Sequence, residues 1–106
     1  MTLTGTTGDA FEQLFSQSYG GEGLRFWGGI KNTGGSNSMS VRVTVTDAWG
    51  DTESGTVTVA AGVKLSFDAI VSTYSTAQPP FTAITVEVES TSAGNSTTYE
   101  LHTLLF

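Results

Sequence analysis

Strict alternation of apolar and polar residues in short runs is the feature that most limits what this chain can fold into. The run Val41–Thr46 reads VRVTVT, and the run Phe81–Ser90 places Ile84, Val86 and Val88 on one face. Because successive side chains of a strand point to opposite faces, this period of two predicts half-buried strands. Turn residues (Gly, Ser, Asn and Pro) separate runs spaced about ten residues apart. The sequence therefore predicts an all-β fold, an antiparallel sandwich of about seven or eight strands.

The composition agrees with a β fold. Threonine (18 residues), serine (12) and glycine (13) together make up 43 of the 106 residues, whereas only 13% are charged. Threonine suits a pleated, half-buried surface, and serine and glycine are common in turns. Cysteine is absent, which excludes disulfides, thiol catalysis and cysteine-ligated zinc.

The charge distribution excludes two classes of partner. The net charge is −6, and the four basic residues, Arg25, Lys31, Arg42 and Lys64, are scattered along the sequence. We therefore expect no binding to nucleic acid, which requires a basic patch that neutralises phosphates. We also expect no membrane partner, since no apolar run approaches the length of a membrane span. The first residues lack the basic and apolar regions of a secretory signal, so none is predicted.

The N-terminal segment reads as a helix. Asp9 is a suitable N-cap, Glu12 follows it at the spacing of a capping box, and Gly20-Gly21 supplies a stop. We predict an amphipathic helix over Asp9–Tyr19 that either caps the β core or docks onto a partner. The domain prediction is accordingly an N-terminal arm and helix over residues 1–23 and a β-sandwich over residues 24–106. The apolar residues at helical spacing are Phe11, Leu14, Phe15 and Tyr19.

The loop between the VRVTVT and SGTVTV runs is the strongest candidate for a local site. It holds three carboxylates, Asp47, Asp51 and Glu53, which are the ligand type that calcium prefers. Their spacing matches no known calcium loop. We therefore favour a hairpin turn in which Asp47 binds backbone N–H groups and Gly50-Asp51 takes the positive-φ positions. Trp49 is either a lid over the core or a binding anchor.

Candidate catalytic groups are few. The single histidine, His102, has only Glu100 as a sequence-near acidic partner, and both fall on one face of the last predicted strand. Glu87 and Glu89 also share a strand face, as a glycosidase pair would, but a solvated face is the favoured interpretation. We expect no catalytic residues, no cofactor and no enzymatic activity.

The stretch from Gly28 to Phe67 carries a family resemblance. Its features are the GIKNTG loop entry, the Val41-x-Val43-x-Val45 strand, Asp47 and Gly50 in a hairpin, and Ala61-Gly62 before Val63-x-Leu65-x-Phe67. This pattern resembles CARDB-type and FxLYD-type immunoglobulin-like modules, which implies an immunoglobulin-like sandwich with an adhesive or structural role. By composition alone, the chain also looks like bacteriophage virion accessory or decoration proteins.

These observations predict a non-enzymatic structural protein of a virion, capsid-associated or decorating, that forms homo-oligomers or binds other virion proteins. The alternative is a carbohydrate-binding or cell-surface adhesion module, extracellular, with Trp27, Trp49 and Tyr74 as an aromatic platform and calcium in the acidic loop. The last strand ends in Leu-Leu-Phe, which either the N-terminal helix or another subunit would cover. The predicted partner-binding residues are Phe11, Leu14, Phe15, Trp49, Leu104 and Phe106.

Overall fold

Extended strands make up most of this protein. The computed structural model describes residues 2–23, 27–70, 76–78 and 81–104. One helix of four residues, α1 (Phe67–Ile70), lies among them, and the all-β prediction is confirmed. The strands in chain order are β1 (Thr2–Thr6), β2 (Glu12–Gly23), β3 (Trp27–Asn32), β4 (Met39–Asp47), β5 (Thr52–Val59), β6 (Lys64–Ser66), β7 (Phe81–Ser90) and β8 (Thr98–Leu104).

The strands form two four-stranded antiparallel sheets. The first sheet has the order β1-β8-β3-β6 and the second the order β2-β7-β4-β5. Among the described strands, only the β4–β5 hairpin joins consecutive strands of one sheet, and every other connection crosses to the opposite sheet. Two sheets of four strands linked in this way have the topology of a double-sheet jelly roll.

This strand order differs from the immunoglobulin-like order that the sequence predicts. Immunoglobulin sandwiches pair their strands as ABED and CFG, so that consecutive strands A and B are neighbours. Here β1 pairs with β8, and β2 pairs with β7. The alternation pattern identifies strands and their inward faces, but it carries no information on which strands pair.

The core lies between the two sheets and consists of the inward-facing residues of the alternating runs. In β4 the burial alternates without a break, and Met39, Val41, Val43 and Val45 are fully buried. The opposite sheet contributes Ile30 and Leu101, each no more than 1% exposed. The remaining large, fully buried side chains are Phe67, Phe81, Ile84, Val59, Val86 and Val88.

One buried polar side chain joins three parts of the sandwich. Asn32, at the end of β3, is 0% exposed, and its Nδ2 donates to the carbonyl oxygens of Asn37 (2.8 Å) and Val59 (3.0 Å). Its Oδ1 accepts from the Gly34 N–H (3.0 Å) and the Thr97 hydroxyl (2.7 Å). Through these four hydrogen bonds Asn32 links the β3–β4 loop to β5 in one sheet and to the start of β8 in the other.

The predicted N-terminal helix is wrong. Residues 12–23 form β2, which pairs with β7 and places Phe15 opposite Val86 in the core. The register shifts between Gln13 and Phe15, so Leu14 is an extra residue at a β-bulge. This bulge explains the error, since adjacent apolar residues at 14 and 15 fit a helical period as well as a bulged strand.

The predicted boundary at residues 23 and 24 does not separate an appendage from a sandwich. β1 pairs with β8 in one sheet, and β2 pairs with β7 in the other. Both N-terminal strands are therefore integral to the fold. Within the described ranges, no helix is long and apolar enough to cross a membrane.

Candidate functional site

The β4–β5 hairpin ends in a turn built around a buried carboxylate. We call residues 47–53 the hairpin tip. Asp47 is 3% exposed, and its Oδ1 accepts from the backbone N–H groups of Trp49 and Asp51, both at 2.9 Å. Its Oδ2 accepts from the N–H of Gln78 at 3.2 Å. The predicted bonding of Asp47 to the turn's own amides is thereby confirmed, and the contact with Gln78 extends it.

The same hydrogen bonds set the protonation of Asp47. Burial raises the pKa of this carboxyl group, whereas the N–H groups of Asp51, Gln78, Trp49 and Gly50 lower it, and the net pKa lies below the ordinary value. Hydrogen bonds to the charged form therefore outweigh the cost of removing it from water. Asp47 is ionised at neutral pH and acts as an acceptor for the tip.

A second carboxylate of the tip, that of Glu53, also accepts backbone hydrogen bonds. Glu53 Oε1 accepts from the N–H groups of Thr76 (2.7 Å) and Ala77 (3.2 Å), and the Ala77 side chain is fully buried. With Asp47 and Glu53 both bonded to backbone amides, the cation interpretation of Asp47, Asp51 and Glu53 loses its support. Across the described part of the chain, no group of three or more His, Cys, Asp or Glu residues is placed to hold a metal ion.

The tip presents Trp49 to solvent. Its side chain is 70% exposed, and this exposure excludes the prediction that Trp49 is a lid over the core. Gly50 has φ of 88°, as predicted, whereas Asp51 does not adopt a positive φ. Among the described side chains, Trp49 and Val63 are the only large apolar ones that are exposed. The tip is thus a fixed turn carrying one uncovered aromatic ring.

Three other predicted partner-binding residues lie in β2 or directly before it. Phe15 is 9% exposed within the core, so the prediction that it reaches a partner is wrong. Leu14 is partly buried and packs against the core. Phe11 is half-buried, and the Arg42 guanidinium carbon lies 4.1 Å from the centre of its ring.

Four of the predicted aromatic and apolar contact residues are Phe106, Tyr74, Leu104 and Trp27. Phe106 and Tyr74 lie outside the described residues. Leu104 and Trp27 are described by their backbones, which pair with each other across β8 and β3. The platform of Trp27, Trp49 and Tyr74 therefore stays a prediction.

Of the two strand carboxylates that resembled a glycosidase pair, Glu87 forms an ion pair with Arg42. Glu87 receives two hydrogen bonds from Arg42, at 3.0 Å from Nε and 2.8 Å from a terminal nitrogen. The hydrogen bonds from Arg42 lower the pKa of Glu87 despite its partial burial. This lowered pKa is the opposite of the raised pKa that the general acid of a glycosidase has. Glu87 instead belongs to an ion pair on the outer face of the second sheet.

His102 lies on the outer face of the first sheet, where its side chain is exposed. Its Nε2 is hydrogen-bonded to Glu100, and its Nδ1 lies 3.1 Å from the Thr2 hydroxyl. The order of hydroxyl, imidazole and carboxylate is that of a hydrolase triad. In that triad, however, the hydroxyl contacts Nε2 and the carboxylate contacts Nδ1, whereas His102 contacts Glu100 through Nε2 and Thr2 through Nδ1.

A shallow groove opens beside His102. We call it the basic groove; its volume is about 570 Å³, and Gly29 is one of the residues that line it. A β-carbon at Gly29 would lie 2.8 Å from the Leu65 carbonyl oxygen, so only glycine permits this approach of β3 and β6. Sequence reasoning missed the groove, because its members are brought together by strand pairing. The polar side chains that line it are Lys31, Lys64, Ser66, Glu100 and His102.

Comparisons with known proteins found few similar chains. No family model matches the sequence, and no curated protein is similar to it. The resemblance to CARDB-type and FxLYD-type modules therefore stays a prediction. Among solved structures, the chain is similar to one titled "Structure of infectious bursal disease virus Gt strain", with a TM-score of 0.43 and 11% identity. The match covers 97% of this chain and 29% of that chain.

Proposed function

We propose that this protein is a non-enzymatic structural component of a virion, a small capsid-associated or decoration protein. The observation that carries the proposal is Trp49, an exposed aromatic ring on a turn fixed by Asp47 and Glu53. Tryptophan is among the residues that contribute most to protein interfaces. A turn that is already ordered loses little conformational entropy on binding, which favours docking through this tip.

The fold is compatible with this role. Double-sheet jelly rolls are used by viral capsid proteins, although lectins and cupins share the architecture. One fold can serve several unrelated functions, so the choice between a capsid role and the others rests on the residues of the site. The tip has an aromatic anchor, and its two structural carboxylates, Asp47 and Glu53, are engaged by backbone amides. This chemistry suits docking onto a protein better than catalysis.

The test is co-sedimentation of the purified protein with particles from its source. We expect the unchanged protein to bind and W49A to bind at least about 30-fold more weakly, the effect of losing an interface hot spot. V63A removes the other exposed apolar side chain and is the matched control, expected to bind as the unchanged protein does. Both variants should melt at the unchanged temperature, because neither side chain is buried.

Two outcomes would contradict the proposal in different ways. Equal binding of W49A and the unchanged protein would exclude the tip as the anchor. If the unchanged protein sediments as a monomer and does not co-sediment with the particles, the virion role itself is excluded. A tryptophan fluorescence change on adding neutral glycans, lost in W49A, would instead favour the carbohydrate-binding alternative.

A further inference from the structure

The described lysines of this acidic protein converge on one groove. Lys31 and Lys64 are direct partners in the register between β3 and β6, and both side chains are exposed. The other described basic side chain, Arg42, is paired with Glu87 on the opposite sheet. Within the described ranges, neither lysine makes an ion pair. The basic groove is thus a local concentration of positive charge on a chain of net charge −6.

Lys31 and Lys64 place two like charges opposite each other on neighbouring strands. Like charges directly opposite each other on neighbouring strands destabilise a sheet. Glu100 is the partner of Lys31 on the other side, but its carboxylate is hydrogen-bonded to His102. An anion held between the two ammonium groups would remove the repulsion and satisfy both.

Hydroxyl and imidazole groups lie beside the two lysines. The row next to Lys31 and Lys64 contains Gly29, with Ser66 on one side and His102 on the other. The Thr2 hydroxyl lies beside the His102 ring. These groups donate and accept hydrogen bonds. Gly29, Ser66 and His102 line the groove, whose volume of about 570 Å³ is in the range of small-molecule sites.

We propose that the basic groove binds an acidic sugar, with its carboxylate between Lys31 and Lys64 and its hydroxyl groups toward Ser66 and His102. A carboxylate suits two ammonium donors, and the hydroxyl groups of a sugar suit the polar side chains around Gly29. The groove lies on the opposite sheet from the Trp49 tip. The inference therefore goes beyond the docking function and does not depend on it.

The experiment is a titration of the ¹⁵N-labelled protein followed by amide NMR signals, with sodium glucuronate as the probe. We expect the signals of Gly28 and Gly29 to shift, with a Kd on the order of 1 mM for a ligand of this size. Glucose, which lacks the carboxylate, and sodium acetate, which lacks the ring, should each bind at least about tenfold more weakly.

Variants locate the site and separate local charge from net charge. K64Q should weaken glucuronate binding about fivefold to tenfold, and K64R, which keeps the charge, should restore most of it. E100Q should tighten binding, whereas E89Q makes the same change of net charge on the other sheet and should leave it unchanged. Intact dispersion of the amide signals checks that each variant is folded.

Several results would overturn the inference. Acetate and glucuronate of equal affinity would show that the groove selects no sugar. A K64Q variant that binds as the unchanged protein does, or equal effects of E100Q and E89Q, would exclude this groove as the site. None of these results bears on particle binding by W49A, so failure here is distinguishable from failure of the virion role.

Discussion

The Gln78 backbone N–H donates a hydrogen bond to Asp47 Oδ2 at 3.2 Å. This bond links the end of β4 to the segment that precedes β7, and Glu53 links the start of β5 to the same segment through Thr76 and Ala77. The tip is therefore held from both strands of its hairpin. Asp47 and Glu53 accept these hydrogen bonds from backbone N–H groups of the tip and of the segment before β7.

Loss of the Asp47 carboxylate should destabilise the protein. We expect D47A to lower Tm by several degrees at neutral pH, since three backbone N–H groups lose their acceptor. D51A is the matched control, because the Asp51 side chain is exposed, and it should leave Tm nearly unchanged. Thermal unfolding followed by circular dichroism measures both. Equal Tm values for D47A and D51A would contradict the role assigned to Asp47.

The stability contributed by the Asp47 charge should depend on pH. Its pKa in the folded protein lies below the ordinary 3.8, so the contribution is complete above that value and is lost as the pH falls through the folded pKa. We therefore expect the difference in unfolding free energy between the unchanged protein and D47N to narrow below about pH 3.8. Urea unfolding across this pH range measures the difference in free energy. A difference that widens in acid would contradict the lowered pKa of Asp47.

The Asn32 network should be essential to stability. N32A leaves the Thr97 hydroxyl, the Gly34 N–H and the Val59 carbonyl without their partner, and we expect a loss of about 3 kcal/mol in unfolding free energy. N37A is the control, because the Asn37 side-chain amide makes one hydrogen bond among the described residues, to the Ser96 carbonyl at 3.0 Å. It should cost no more than about 1 kcal/mol. Urea unfolding compares the two, and similar losses would argue against the network.

Core and edge valines should differ in the cost of truncation. Val86 is fully buried in the central strand β7, whereas Val57 is partly buried in the edge strand β5. V86A should lower the unfolding free energy by about 2 to 3 kcal/mol through lost burial and a cavity. V57A should cost about 1 kcal/mol, because water and neighbouring side chains reach the site. A larger loss for V57A would contradict the assignment of the core.

Two exposed glycines should respond differently to alanine. Gly50 has φ of 88°, and Gly35 does not have a positive φ, although a β-carbon at either position would meet open space. G50A should therefore cost about 1 kcal/mol of backbone strain. G35A should be neutral or stabilise by up to about 1 kcal/mol, since alanine restricts the unfolded chain. Chemical denaturation distinguishes them, and equal effects would contradict the turn geometry.

The candidate site was predictable to different degrees. The turn chemistry of Asp47 and Gly50 followed from the sequence, because it depends on residues within a few positions of one another. The choice between lid and exposed ring for Trp49 did not, since burial depends on distant segments. The basic groove was hidden for the same reason: Lys31, Lys64 and His102 are far apart in sequence and meet only through the pairing of β3 with β6 and β8.

The sequence alone determined that this chain forms strands and which residues of β4 and β7 face inward, because a period of two is a local property of an extended backbone. Tertiary structure decided the strand order, the extended conformation of residues 12–23 and the grouping of the lysines. Each of these depends on contacts between residues far apart in the chain. The apolar pattern of Phe11–Phe15 is compatible with a helix and with a bulged strand. The pairing of Phe15 with Val86 in the neighbouring strand favours the strand.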